Sequence, residues 1–454
     1  MNEDKEFLGT EPIKKLLLKL AVPTIAAQII NVLYNIVDRI YIGHMPGDGA
    51  LALTGLGVCM PLILIVTAFA ALVSSGGAPR ASIYMGKKDN DTAEHILGNC
   101  FSLLVVISIV LTAILFIFNR QLLMAFGASE NTIGYASSYM KIYSLGTIFV
   151  QMTLGMNMFI TAQGFANTGM LTVMIGAVCN IILDPIFIFV FNMGVRGAAL
   201  ATVISQAISC VWCIKFLCGK KTMLKIRRKY FGLQRDIILP CVALGLATFI
   251  MQASESVIAV CFNASLLKYG GDVAVGAMTI CTSVMQFAML PMQGIGQGAQ
   301  PISSYNYGAK NASRVKETFF LLLKICVAYA VIIWLGVMLF PRQFAGIFSN
   351  DTALLDYAAS ALRIYCGAIF LFGIQIACQL TFVSIGNAVC SIIVAIVRKF
   401  ILLVPLIYIV PHFVANKAHG VYMAEPIADV IAVTFTAILF FTQFRKAIKN
   451  LENE

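Results

Sequence analysis

The chain has 454 residues, of which 59% are apolar and only 12% are charged, and its formal net charge is +11. Soluble domains carry roughly a quarter charged residues, so a water-soluble globule is excluded. The positive excess sits at the ends of apolar blocks rather than on one patch, which excludes a nucleic-acid-binding surface.

Apolar blocks of about twenty or more residues can each cross a hydrocarbon core of roughly 30 Å at about 1.5 Å per residue. In chain order they predict spans near 16–42, 51–78, 92–118, 133–162, 170–192 and 197–217. A second set falls near 236–266, 273–303, 315–340, 355–385, 388–411 and 420–443. The alternation of a membrane barrel is missing, so the expected fold is an all-α polytopic membrane protein of twelve helices. The polar N-terminus, MNEDKEFLGTEPIKK, and the long first apolar run do not read as a cleavable signal.

Lys5, Lys14, Lys15 and Lys19 precede the first span; Arg80, Lys87 and Lys88 follow the second. A basic stretch from Lys215 to Arg235 follows the sixth, Lys310, Arg314 and Lys316 the eighth, and Arg445, Lys446 and Lys449 the last. The opposite loops hold only Arg120, Arg196, Lys268, Arg342 and Lys417. The positive-inside rule then places both termini and the central linker in the cytoplasm. The thirteen cysteines lie mostly in apolar spans and the four histidines do not cluster. No cofactor, metal centre or catalytic triad is expected from them.

A constant offset of 222 residues aligns Pro79 with Pro301, Gly86 with Gly308, Lys88 with Lys310 and Arg120 with Arg342. The same offset aligns Phe126 with Phe348, Ile142-Tyr143 with Ile364-Tyr365, and Gly164 with Gly386. Six spans per half make the halves parallel repeats about an axis along the membrane normal. The expected organisation is an N-lobe (1–217), a basic linker (218–235) and a C-lobe (236–454), with transport by rocking of one lobe against the other.

Carboxylates are costly inside a bilayer, and those found there usually face the protein interior and serve transport. Five are expected within spans: Asp38, Asp184, Glu255, Glu425 and Asp429. Asp38 adjoins Arg39 and is also readable as a snorkelling ion pair; Asp184 precedes Pro185 and is also readable as a helix terminator. Glu255 stands mid-span with no partner nearby in sequence. Glu425 and Asp429 share a helix face, for a hydrogen-bond network or for substrate. Asn180 lies one turn before Asp184, so the two can ligate one ion. Burial of a carboxylate favours its neutral form, which lets a proton and a cation compete for one group.

With Pro23, Tyr34-Asn35-Ile36-Val37-Asp38, Asn180-Ile-Ile-Leu-Asp184-Pro185 and Gly197-Ala-Ala-Leu-Ala-Thr202 in its first half, the chain resembles the multidrug and toxic compound extrusion (MATE) transporters, in particular their MepA-like bacterial branch. The second half adds Gln252-Ala-Ser-Glu255-Ser, Gln300-Pro301 before Tyr305-Asn306-Tyr307-Gly308-Ala309, and Gly420-Val421 before Glu425-Pro426 and Ala428-Asp429. The resemblance implies two six-helix lobes and export of lipophilic, mostly cationic drugs in exchange for H⁺ or Na⁺. It implies a coupling site, open to Na⁺, at Asp38, Asn180, Asp184 and Thr202 with Tyr34 close by, and a bend at Pro23. Some members carry a further aspartate in the tenth span; here Arg363 to Gly386 offers only Gln375 and Gln379, so coupling is expected in the N-lobe.

The substrate cavity is expected to involve Glu255, Gln300, Glu425 and Asp429 with Met152, Met285 and Met289, because flexible thioethers suit a promiscuous apolar pocket and acids favour lipophilic cations. Methionine is equally a packing residue. The expected partners are small molecules and the lipid bilayer, and the expected state is a monomer. The alternative from the same superfamily is a lipid-linked oligosaccharide flippase, which would line its cavity with basic residues. An enzyme would need a convergent nucleophile, metal or His–acid set, and the sequence offers none.

Overall fold

The computed structural model describes residues 6–45, 49–348 and 352–453, apart from the side chain of Ala50; Lys5 of the first basic group lies outside them. The N-lobe spans are α1 (Ile13–Gly43), α2 (Gly49–Gly86), α3 (Asn90–Ile117), α4, α5 (Ala166–Val190) and α6 (Val195–Leu217). The α4 span is a bent pair, Ile133–Leu145 and Thr147–Ala162, turning by 57° at Gly146. The α5 span passes Pro185 and continues as π-helical turns over Ile186–Val190.

In the C-lobe, Arg235–Gly308 runs without a loop. Gly271, at φ 67° and ψ −164°, breaks it into two spans, α7 (235–270) and α8 (272–308). Only glycine adopts that backbone conformation freely. Then follow α9 (Ala312–Leu339), α10 (Thr352–Tyr365 and Ile369–Ser384, bent by 41°), α11 (Ala388–His412) and α12 (Lys417–Asn453). The twelve-helix, two-lobe architecture read from the sequence is the one observed. With an even number of spans, both termini lie on one side of the membrane, called here the terminal side.

On that side the lobes interlock through glycine. A Cβ on Gly86 of α2 would overlap the backbone carbonyl of Tyr305 in α8, and one on Gly308 would overlap the carbonyl of Ile83. Gly86 and Gly308, and likewise Ile83 and Tyr305, are equivalent under the 222-residue repeat, so the contact is reciprocal. Farther in, Gly76 meets the Cys241 carbonyl and Gly245 meets the Leu72 carbonyl. On the other flank, Gly294 and Gly298 of α8 accept the backbone of Ile25 and Ala21 in α1, and Gln28 Nε2 donates to Gln297 Oε1 at 3.2 Å. Small residues let backbones approach this closely, which is how helices gain dispersion contact where lipid removes the hydrophobic drive. Toward the opposite side, Phe69 with Phe249 is the one ring pair between the lobes among the described residues. Beyond it the Glu255 side chain is 59% exposed.

Two peripheral segments are held down. The chain from Thr222 to Gln234 is strapped along the N-lobe rather than hanging free. Gln163 Oε1 accepts from Thr222 Oγ1 at 2.9 Å and from the amides of Met223 and Leu224 at 2.8 Å. Glu94 pairs with Arg227 at 2.6 Å and accepts from the Lys225 amide, while Asn99 Oδ1 accepts from the Gln234 amide at 2.8 Å. The turn Phe7–Thr10 bridges both lobes. Phe7 packs against Gly164 of the N-lobe, and the Leu8 carbonyl accepts from Asn306 and Arg314 of the C-lobe at 3.0 and 3.2 Å.

Because carbon–oxygen contacts seldom fall below about 3.3 Å, Gly86→Val or Gly308→Val forces the lobes apart on the terminal side. The expected result is a longer nitroxide–nitroxide distance between labels at Lys87 and Lys310, larger still in the double variant. An unchanged distance distribution would show that closure does not depend on these glycines.

Candidate functional site

Two polar clusters are buried in the spans, one in each lobe, and they differ in charge. In the N-lobe, α5 places Asn180 and Asp184 one turn apart, with Asn180 Nδ2 donating to Asp184 Oδ1 at 3.3 Å and lying 3.4 Å from Thr202 Oγ1 of α6. Thr202 itself donates to the Ala198 carbonyl at 3.0 Å. Asp38 of α1 brings its carboxyl within hydrogen-bonding reach of Asp184. It is buried, whereas its neighbour Arg39 is exposed and not paired with it. Tyr34 is half-buried one turn before Asp38.

Three buried oxygens in this cluster have no partner: Asp38 Oδ1, Asn180 Oδ1 and Asp184 Oδ2. Buried polar atoms are nearly always satisfied, and oxygens left over beside a threonine hydroxyl form a set that suits a proton or a hard cation. Among the described residues, no group of three or more His, Cys, Asp or Glu could hold a metal, so any cation here would rely on the amide and hydroxyl oxygens as well. The structure adds Tyr139 of α4, buried in the neighbourhood of Thr202. Tyr143 stacks on it with ring centroids 6.1 Å apart. Sequence reasoning passed over this pair because tyrosines four apart in an apolar helix also read as ordinary core. Their one signal was polarity repeated on a single face.

The C-lobe cluster is ionic. Arg398 and Lys399 of α11 are both buried, although the sequence reading had counted only the acids of the spans. Consecutive residues of an ordinary helix diverge by about 100°. Here both lie within the π-helical turns of Val397–Leu403, and both side chains are buried. Arg398 Nε donates to Asp429 Oδ1 at 3.0 Å and Nη2 to Glu425 Oε1 at 3.2 Å. The guanidinium also lies 4.7 Å from the centroid of the Phe372 ring. Lys399 Nζ donates to Glu255 Oε1 at 2.6 Å. Glu255 therefore has a partner, 144 residues away in sequence.

The remaining expected residues scatter. Met285 and Met289 are half-buried and pack with Met292, Tyr329, Ile376 and Phe372, the last being the ring beneath Arg398. Met152 is buried in the main apolar core beside Met156 and Phe159, and Gln300 is buried in α8 next to the terminal-side closure. Pro23 is buried inside an unbroken α1, with the Thr24 hydroxyl returning to the Leu20 carbonyl at 2.7 Å.

Removing one member of a buried ion pair leaves an uncompensated charge and costs about 3–5 kcal/mol. Arg398→Met is accordingly expected to lower the thermal stability of the purified protein sharply. Adding Glu425→Gln and Asp429→Asn removes the stranded charges and should restore most of it. If the triple variant unfolds as early as the single one, charge pairing is not what the arginine supplies.

One family model, MatE, matches residues 23–186 and 247–409, one stretch in each lobe. Among curated proteins, the chain is 27% identical over 376 residues to the multidrug export protein MepA of Staphylococcus haemolyticus, covering 82% of each chain. It is 24% identical to MepA of Staphylococcus saprophyticus, over 90% of this chain and 89% of that one. Among solved structures, a MATE crystal structure in the bent conformation superposes with a TM-score of 0.91 at 24% identity, covering 99% of this chain and 98% of the other. A MOP-superfamily transporter from Pyrococcus furiosus, described as having a binding pocket of reverse polarity, superposes with a TM-score of 0.89 at 24% identity over 99% of this chain and 98% of that one. Two lobes that each carry the family's signature, on a fold shared with its solved structures, place this chain in the MATE family of multi-pass membrane transporters, a family of carriers rather than enzymes.

Proposed function

We propose that this protein is a secondary active antiporter that exports lipophilic, mostly cationic compounds in exchange for H⁺ or Na⁺ across the bacterial cytoplasmic membrane. The reading rests on the N-lobe cluster, where two facing carboxyls and an amide present three unpartnered oxygens with no base among them. Like charges so close repel unless a proton or a cation neutralises them. A bound ion draws α1 and α5 together, and release frees α1 to move, with Pro23 as the point where it bends. With the basic side taken as cytoplasmic, the glycine-locked terminal side is the closed inner gate, and the lobes part toward the exterior. Unlike a flippase cavity walled with free basic groups, both Arg398 and Lys399 are committed to acids. The chain acts as a monomer in this reading, and the Met285–Met289–Phe372 wall offers the drug apolar area.

Asp38→Asn or Asp184→Asn is expected to abolish ethidium efflux while leaving membrane insertion intact. Unchanged efflux in both variants overturns the coupling assignment. Proteoliposomes with a proton or a sodium gradient imposed separately distinguish the ions: efflux follows the gradient of the coupling ion and ignores the other. Efflux driven by neither gradient would refute antiport.

A further inference from the structure

Where the strap hands over to the C-lobe, α7 carries a stripe of side chains that is ordered by depth. Arg235, Ile238, Leu239 and Val242 stand at i, i+3, i+4 and i+7, so they share a helix face. With Leu233 of the strap and Leu103 of α3 they line a groove of about 360 Å³. One wall therefore belongs to the N-lobe and the other to the C-lobe. The groove lies at the joint, where the Gln234 amide makes the strap's last bond to Asn99 and α7 begins. Arg235 is at the terminal-side end, and the apolar residues run about 10 Å into the membrane from it. We propose that this groove binds an anionic phospholipid of the terminal-side leaflet, with its phosphate at Arg235 and an acyl chain along Ile238, Leu239 and Val242.

Exposed leucines alone mean little on a span, because lipid covers every outward face. Three features set this groove apart. Phe231 and Leu233 lie in the strap, outside the spans, yet both are exposed, and Phe231 stacks on Phe101 of α3 with ring centroids 5.0 Å apart. Aromatic rings so placed sit at the level of the lipid headgroups. Arg235 is exposed and engaged by no acid among the described residues, whereas Arg227 and Lys229 of the strap pair with Glu94 and Asp91. No acid lines the groove, and Asp236 sits about 100° round the helix from Arg235. A phosphodiester supplies the missing anion, and its acyl chain covers the apolar wall. A zwitterionic lipid brings a cation of its own beside the arginine and gains less. A protein partner would have to displace lipid from Leu239 and Val242, which lie within the span. The groove requires only a chain that crosses a bilayer, whatever ion or substrate the lobes carry.

The test is native mass spectrometry of the purified full-length protein in detergent, titrated with phosphatidylglycerol or with phosphatidylcholine of the same acyl chains. The first phosphatidylglycerol is expected to bind about fivefold tighter than the first phosphatidylcholine. Arg235→Gln should remove that margin and Arg235→Lys should keep it; the side chain is exposed, so folding is not at stake. Leu239→Gln on the apolar wall should weaken both lipids by about fivefold. Lys446→Gln, the same loss of charge at an exposed position of α12, should change neither. Equal binding of the two lipids, a margin that survives Arg235→Gln, or the same loss in Lys446→Gln overturns the proposal. So does phosphatidylglycerol binding that ignores Leu239→Gln, or displacement of the lipid by millimolar inorganic phosphate, which marks a bare anion site.

Discussion

The structure depends on how closely two helices can approach without side chains between them. At Gly86 and Gly308, and again at Gly76 and Gly245, backbone lies on backbone across the lobe boundary. In a membrane there is little hydrophobic gain from pressing two apolar helices together, since lipid solvates them equally well. Close approach is what makes dispersion worth having. It is also given up with few polar side-chain contacts to break, the Gln28–Gln297 bond among them. A boundary made this way can close firmly and still part, which suits two lobes that must exchange one opening for another. Since Gly86 and Gly308 are equivalent residues of the two halves, the repeat is visible in that contact itself.

Around that shared frame the lobes carry opposite electrostatics. The N-lobe cluster holds facing acids without a paired base and with three unpartnered oxygens. The C-lobe cluster holds three acids with two bases, so every acid is paired but one carboxylate is in excess. Under the 222-residue repeat, Arg398 corresponds to Gly176 and Lys399 to Ala177, while Asp38 corresponds to Val260 and Asp184 to Leu406. Neither cluster has a counterpart in the other lobe. The symmetry of the backbone thus supports two different chemistries, unpartnered acid oxygens in one lobe and paired charges in the other.

The segment joining the lobes adds a mechanical consequence. With Gln163, Glu94 and Asn99 holding residues 222–234 against the N-lobe, the strap travels with that lobe. The free joint is reduced to the few residues where α7 begins. The turn Phe7–Thr10 contacts both lobes on the same side, so relative motion must also break or carry its bonds to Arg314 and Asn306.

The sequence by itself determined the class, the twelve spans and the two-fold repeat. Each rests on a property that is local or additive along the chain: apolar length set by bilayer thickness, charge counted on alternate loops, residue identity at one fixed offset. It also picked out Asp38, Asn180 and Asp184, because intramembrane acids are rare and Asn180 and Asp184 share a helix face; Thr202 came only with the family resemblance. Tertiary structure alone decided their relations. That Asp38 faces Asp184 rather than Arg39, that Glu255 pairs with Lys399, and that Tyr139 joins the N-lobe cluster are contacts between helices far apart in sequence. Arg398 and Lys399 are both buried within a π-helical stretch that the sequence pattern does not anticipate. Met152 shows the converse limit: composition suggested a cavity wall, and packing placed it in the core, because thioethers fill either environment equally well.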